Sequence, residues 1–186
     1  KKMKLKLKFS NKTQKMADVS HLVFVTSKSN KDKKLRPVIN KIAENELFKE
    51  KYFFQKDLNN KNIIFINCIK TFSTSDFENI GSKLFDYLEN NKIYYSIINS
   101  ELMNITSIQL EKILHGIKLK SYKFDLYKSS NKKNAISITI SGKKILSNNL
   151  YKKKLDALEE GVFLTRDLVS EPGNILHPDE YAKRIL

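Results

Sequence analysis

Three histidines, one cysteine and 20 carboxylates are the side chains of this 186-residue sequence that could ligate a metal or attack a substrate. Their spacing gives them little to work with. His21, His115 and His177 fall in three separate elements, so no helix-borne zinc motif forms. His21 opens a strand and reads as a surface or edge residue. His115 lies off the apolar stripe of its helix and reads as partly exposed. His177 precedes Pro178 and helps turn the chain into its next helix. Cys68 stands in an apolar, strand-like run, which favours a buried inert thiol over a nucleophile and excludes an internal disulfide framework. The neighbours Glu159-Glu160 and Asp179-Glu180 point in different directions on a helix and read as solvated. The glycines at 81, 116, 142, 161 and 173 make neither a Gly-x-Gly fingerprint nor a phosphate loop, which counts against nucleotide or ADP-ribose binding. No Gly-x-Ser-x-Gly elbow is present.

Charge suggests a partner more than a reaction. There are 35 basic and 20 acidic residues, a formal net charge of +15. Such a balance attracts polyanions. The cations are almost all lysine, however. Arginine, the bidentate reader of phosphate and guanine, occurs only as Arg36, Arg166 and Arg184. Lysine-rich drift therefore explains the charge better than a dedicated nucleic-acid surface, with weak, salt-sensitive DNA binding as the expected residue of it. No apolar run approaches the ~20 residues of a membrane helix, and the lysine-rich start has no apolar segment behind it, so no membrane association and a cytoplasmic location are expected.

Hydrophobic periodicity supplies the elements. Residues 3–9 alternate strictly, placing Met3, Leu5, Leu7 and Phe9 on one face and lysines on the other, a half-exposed strand guarded against edge pairing. Continuous apolar runs at 21–26 and 61–70 predict buried strands, and 93–98 and 135–140 predict two more, the last ending in a turn at Ser141-Gly142. Pro37 suits a first helical turn, with Val38, Ile42 and Leu47 carrying a short helix to about Phe48. Ser75 with Glu78, and Thr106 with Gln109, read as capping boxes. Phe77, Ile80, Gly81, Leu84 and Leu88 follow the first; Leu110, Ile113, Leu114 and Ile117 follow the second. A long helix is expected over 148–169, with Leu155, Leu158, Val162, Thr165 and Val169 inward. Lys132-Lys133 and Lys143-Lys144 read as solvated loop charges. Alternating strands and helices predict an α/β layered sheet.

The end of that long helix has its own logic. Pro172 lacks an N–H and disfavours helix at Glu171, so the helix must stop. Gly173 permits positive φ or close backbone approach, and Asn174 can bond local backbone. Pro178, followed by Asp179 and Glu180, makes a good first turn.

The run from Gly161 to Ala182 resembles the junction between the two domains of the leucyl aminopeptidase family, the dinuclear-metal cytosolic exopeptidases. Arg166, Asp167, Leu168, Glu171, Pro172, Asn174, Pro178 and Ala182 stand where that family carries them, with Ser170 in place of a common asparagine. A second stretch, with Gly116, Leu119, Tyr122, Phe124, Asp125, Tyr127 and Lys128, is similar to a segment late in the family's N-terminal domain. The 115 residues before Gly116 fit only by element order.

The resemblance implies a macro-domain-like mixed sheet flanked by helices over 1–146, a linker helix over 147–170, and the start of a catalytic domain over 171–186. It implies that the parent protein removes N-terminal residues such as leucine from peptides, using two divalent cations (Mn or Zn) held by a lysine, aspartates and a glutamate. None of those ligands maps onto this sequence, and the family's Asn-Thr-Asp-Ala-Glu-Gly-Arg signature is missing. The expectation is a non-catalytic scaffold that binds no cofactor, helps assemble a homo-hexamer, and in some bacterial relatives contributes to DNA binding. Arg166 and Asp167 are expected to dock the linker helix through ion pairs, and the last helix to expose apolar surface. The rival reading is a stand-alone module, either a macro-like ADP-ribose reader or a basic nucleic-acid binder.

Overall fold

The computed structural model describes residues 5–10, 19–26, 35–44, 50–58, 60–69, 73–101, 103–125, 127, 134–142 and 149–185. The expected residues Met3, Leu47, Phe48, Lys128, and the lysine pairs at 132–133 and 143–144 lie outside them. Six described strands form one sheet: β1 (Leu5–Ser10), β2 (Ser20–Val25), β3 (Phe53–Leu58), β4 (Lys61–Asn67), β5 (Tyr95–Asn99) and β6 (Ile136–Ser141). Their order is β1-β6-β5-β2-β4-β3. All neighbours are parallel except β3, which runs antiparallel to β4 at one edge. The sheet is mixed and α/β, as expected.

Helices cover both faces. α1 (Arg36–Glu44) has Pro37 in its first turn and buries Ile39 and Ile42 against Val25, Ile63 and Phe65. On the other face, α2 (Thr74–Asn90) and α3 (Ser107–Ser121) pack against Leu22, Phe24, Ile64, Ile66, Ile98 and Ile138. In β4 the side chains alternate between these two layers, which is why its run is apolar throughout. The Thr106–Gln109 capping box forms as read, with Gln109 N–H donating to Thr106 Oγ1 at 3.2 Å. The other box starts two residues earlier than Ser75–Glu78. Ser73 is the N-cap and Asp76 answers it. Glu78 is thereby free for a different task, described below.

Two glycines bring α2 and α3 together. A Cβ on Gly81 would lie 2.0 Å from the Ile113 carbonyl oxygen, and one on Gly116 would lie 2.0 Å from that of Glu78. The pairs Glu78–Lys112, Asp86–Lys120 and Glu89–Lys123 advance together along the two helices, so α2 and α3 run parallel, crossing at these glycines with backbones in contact. At the turn after β6, Gly142 has φ +120, and a Cβ there would meet Ser100 Oγ at 2.4 Å.

β3 was not anticipated. Its Gln55, Lys56 and Asp57 carry no apolar signal, because an edge strand keeps most of its side chains in water. Its hairpin partner begins after Asn60, whose φ of 59 is the left-handed turn geometry asparagine tolerates. β1 shows the expected alternation, with Leu5 buried, Leu7 half-buried and the lysines out, although Phe9 is exposed.

α4 (Asn149–Ser170) and α5 (Pro178–Ile185) complete the described elements. The long helix is present, but its inward face differs from the reading. Leu155 is buried and Val162 half-buried, whereas Leu158 is 49% exposed, Val169 80% exposed, and Thr165 also faces solvent. The inward positions are instead Leu155, Asp156, Glu159, Val162, Phe163 and Asp167. α4 turns polar groups inward because α3 offers it a cation and a phenol there. No described helix is long and apolar enough to cross a membrane.

Candidate functional site at the helix seam

The two stretches singled out in the sequence meet in space along one side of α4. From α3 come Lys118, Leu119 and, at its C-cap, Tyr122; from α4 come Asp156, Glu159, Phe163, Arg166 and Asp167. The α4 positions recur at helical spacing and so share one face. Lys118 Nζ donates to Asp156 Oδ1 at 3.0 Å and to Glu159 Oε2 at 2.7 Å. Tyr122 Oη donates to Asp167 Oδ1 at 2.7 Å, and its ring lies against Phe163 with centroids 5.3 Å apart. Arg166 Nη1 donates to the Leu119 carbonyl at 2.7 Å, its guanidinium carbon 5.4 Å from the Tyr122 ring centroid. Arg166 and Asp167 thus dock α4 onto a carbonyl and a phenol of α3.

The seam continues past the helix end. Pro172 stops α4 at Ser170, and its carbonyl accepts from Ile175 N–H at 2.9 Å and Leu176 N–H at 3.0 Å, closing the turn. Tyr127, whose ring lies 5.8 Å from Phe124, donates its hydroxyl to Glu171 Oε2. Arg184 Nη1 holds the other Glu171 oxygen at 3.0 Å, and its Nε pairs with Glu180 at 3.0 Å. Glu171 thus ties together the segment after α3, the turn and α5. Pro178, Asp179 and Glu180 occupy the first turn of α5 as expected, and the His177 carbonyl accepts from Tyr181 N–H at 2.9 Å. Leu168 is half-buried on α4, Asp125 half-buried after α3, and Asn174 exposed in the turn. Gly173 has neither positive φ nor a close neighbour, so the reason given for a glycine there does not hold. Gly116, by contrast, is explained by its contact with Glu78.

Two other readings need correction. Glu159 is not a solvated neighbour of Glu160: it is 7% exposed and paired with Lys118. His115 is buried, with Nδ1 3.2 Å from Glu78 Oε1, which also accepts from Lys112 Nζ at 2.8 Å. These pairs were not legible because each joins residues more than 30 positions apart. His21 lies half-buried in an interior strand, not at an edge; burial and the nearby Lys61 lower its pKa. Cys68 is buried as expected, and burial pushes its thiol up to about 12.

The electrostatics follow from the geometry. Burial pushes Lys118 down, but Glu159 and Asp156 together outweigh it and hold the ammonium above its ordinary value. Burial lifts the Glu159 carboxyl, and its share of Lys118 does not cancel that lift. One ammonium serves two carboxylates, so the lysine is fully compensated and the glutamate only partly. Burial raises Glu78 too, yet its bonds from Lys112 and His115 prevail and it ends below the usual carboxylate range. Burial and the Asp167 hydrogen bond push Tyr122 up to about 12.

That last shift gives a signed expectation. A tyrosine raised in the folded state adds stability that is complete below its unfolded pKa of about 10 and lost as pH climbs through about 12. Alkaline titration followed by phenolate absorbance should show one hydroxyl ionising near pH 12 that is missing in Tyr122→Phe. The seam should loosen over the same window.

Among the described residues no cluster of three or more His, Cys, Asp or Glu side chains could hold a metal ion. The seam joins surfaces; its residues offer no arrangement for a cation pair.

Comparisons with known proteins agree with the motifs. No family model matches the chain. A probable cytosol aminopeptidase of Bradyrhizobium sp. is 36% identical over 84 residues, covering 43% of this chain and 17% of that protein. One from Rickettsia bellii is 34% identical over 115 residues, covering 58% and 23%. The chain thus spans less than a quarter of the length of these curated relatives. Among solved structures, a tomato leucine aminopeptidase mutant superposes with a TM-score of 0.64 at 16% identity, over 96% of this chain and 41% of that one. The bottromycin maturation enzyme BotP, in complex with Mn, gives 0.58 at 13% identity, over 91% and 35%. At those identities the structures speak for the fold alone. The chain is thus similar in sequence to part of these cytosol aminopeptidases and in fold to part of a leucine aminopeptidase.

Proposed function

We propose that the chain is the non-catalytic scaffold part of a metal-dependent aminopeptidase, and that the peptide-cleaving residues belong to the remainder of the parent protein. The observation that carries this reading is the seam: the two stretches that resemble the family are the ones that meet there. In this reading residues 1–146 form the scaffold domain, 147–170 link it, and 171–186 open the catalytic part. The outward stripe of Leu158, Leu164 and Val169 on α4, with Tyr181 on α5, is where that part would pack. Two divalent cations, Mn or Zn, would there activate a water and polarise the scissile carbonyl. The described residues do not fit such a pair, so no step is assigned to them. Assembly into a homo-hexamer in the cytoplasm belongs to the same proposal.

The test is an assay of the purified 186-residue chain with a leucine amide substrate and added Mn or Zn, beside the parent protein extended past Leu186. The extended protein should turn over and the chain alone should match the blank. Metal-dependent turnover by the chain alone would refute the assignment. Titration with ADP-ribose and with duplex DNA at two salt levels addresses the rival module. Tight, salt-insensitive ADP-ribose binding would favour that rival.

A further inference from the structure

We infer that α4 is held to the sheet domain by an electrostatic latch and releases from it as a unit while the domain stays folded. The first observation is the core itself. Neither cluster of buried apolar residues includes any described residue of α4 or α5. Their described members come from the strands, from α1, α2 and α3, and from Cys68, Met103 and Ile105 in the connections. The second is the mixed inward face of α4. Its inward side mixes Asp156, Glu159 and Asp167 with Leu155, Val162, Phe163 and Leu168, while Leu158, Leu164 and Val169 face outward. An ordinary surface helix is held by its apolar stripe. This one is held by Lys118 between two carboxylates, by Tyr122 on Asp167, and by Arg166 on the Leu119 carbonyl.

The latch concentrates on few groups. Lys118 serves both acidic residues of the first half of α4, and removing it leaves Glu159 buried and uncompensated. Tyr122 serves the second half through both its ring and its hydroxyl. Salt screens the partly exposed members of such a set while leaving apolar cores intact. Undocking should therefore be separable from unfolding, as a low-stability unit beside a stable one. The inference concerns this chain alone and stands or falls independently of the activity of any parent protein.

The experiment uses the 186-residue chain with spin labels at Lys154→Cys on α4 and Ile108→Cys on α3, both exposed positions. Cys68 is buried and stays unlabelled. Distances are measured by pulsed electron resonance at low salt, at about 1 M salt, and in Lys118→Met and Tyr122→Phe backgrounds. Hydrogen exchange is followed in parallel. One narrow distance is expected at low salt, with a second, broader population appearing at high salt and in each variant. α4 amides should then exchange at least about tenfold faster while β4 and β5 keep their protection. A distance that stays narrow through both salt and substitution would overturn the latch. So would core strands that lose protection in step with α4, because α4 would then belong to the same cooperative unit. If Lys118→Met fails to fold, the salt series on the otherwise unaltered chain still decides.

Discussion

Gly116→Ala should lower stability by about 3 kcal/mol or more, roughly a 10 °C fall in melting temperature for a chain of this size. The new methyl would sit 2.0 Å from the Glu78 carbonyl oxygen, a backbone atom that cannot rotate away. Alanine's better helix propensity offsets only about 1 kcal/mol of this. α2 and α3 must separate instead, and that opens the larger core at Leu84, Ile113 and Ile117. Gly81→Ala should behave alike, for its methyl would strike the Ile113 carbonyl. The double variant should cost less than the sum, since one separation relieves both clashes. Gly173→Ala is the control: with no positive φ and no neighbour, it should be neutral or gain up to about 1 kcal/mol. Thermal melts of the four variants, with circular dichroism to confirm folding, check all of this. A Gly116→Ala protein that melts within a degree or so of the parent would mean that the helices are not in backbone contact.

Phe65→Ala should cost about 3–5 kcal/mol, which is a large part of the total for most domains. Phe65 is fully buried in the smaller core with Val25, Ile39, Ile42 and Ile63. That layer has one described helix, α1, and few other side chains to collapse into the space. Phe65→Leu should recover most of the loss. Urea unfolding would register the change as a lower midpoint at constant slope. The seam should not notice, because it lies against α3 on the opposite face. Labels on α4 reporting disturbance in Phe65→Leu would show that the two layers are coupled through the sheet.

Sequence legibility tracked how local the deciding interaction is. β2, β4, β5, β6, α2 and α3 announced themselves because their own side chains fill the core, and burial imprints its period on the chain. β3 gave no such imprint, since pairing with β4 is a backbone matter and three of its side chains are polar and exposed. The cap of α2 lies two residues before Ser75, and both Ser73–Asp76 and Ser75–Glu78 satisfy the pattern. What separates them is that Glu78 is needed by His115 and Lys112 on α3. The same cause inverted the face of α4. Its leucines and valines advertise an inward stripe, and only Lys118 and Tyr122, some 40 positions earlier, say otherwise. The motif residues were found without their reasons. Gly116 proves to be a packing residue, Tyr122 and Tyr127 donors to acids on the far side of the seam, and Gly173 unconstrained.

One property of the sheet order bears on how the molecule is made. β1 pairs with β6, Leu5 opposite Ile136, so β1 waits roughly 130 residues of synthesis for this mate. At ordinary ribosomal speeds that is on the order of ten seconds with an open hydrogen-bonding edge in a crowded cell. Lys6 and Lys8 give the waiting segment a charge that repels its own copies on neighbouring nascent chains. The order of synthesis, and not only the finished architecture, is a reason for lysine to alternate with leucine in β1.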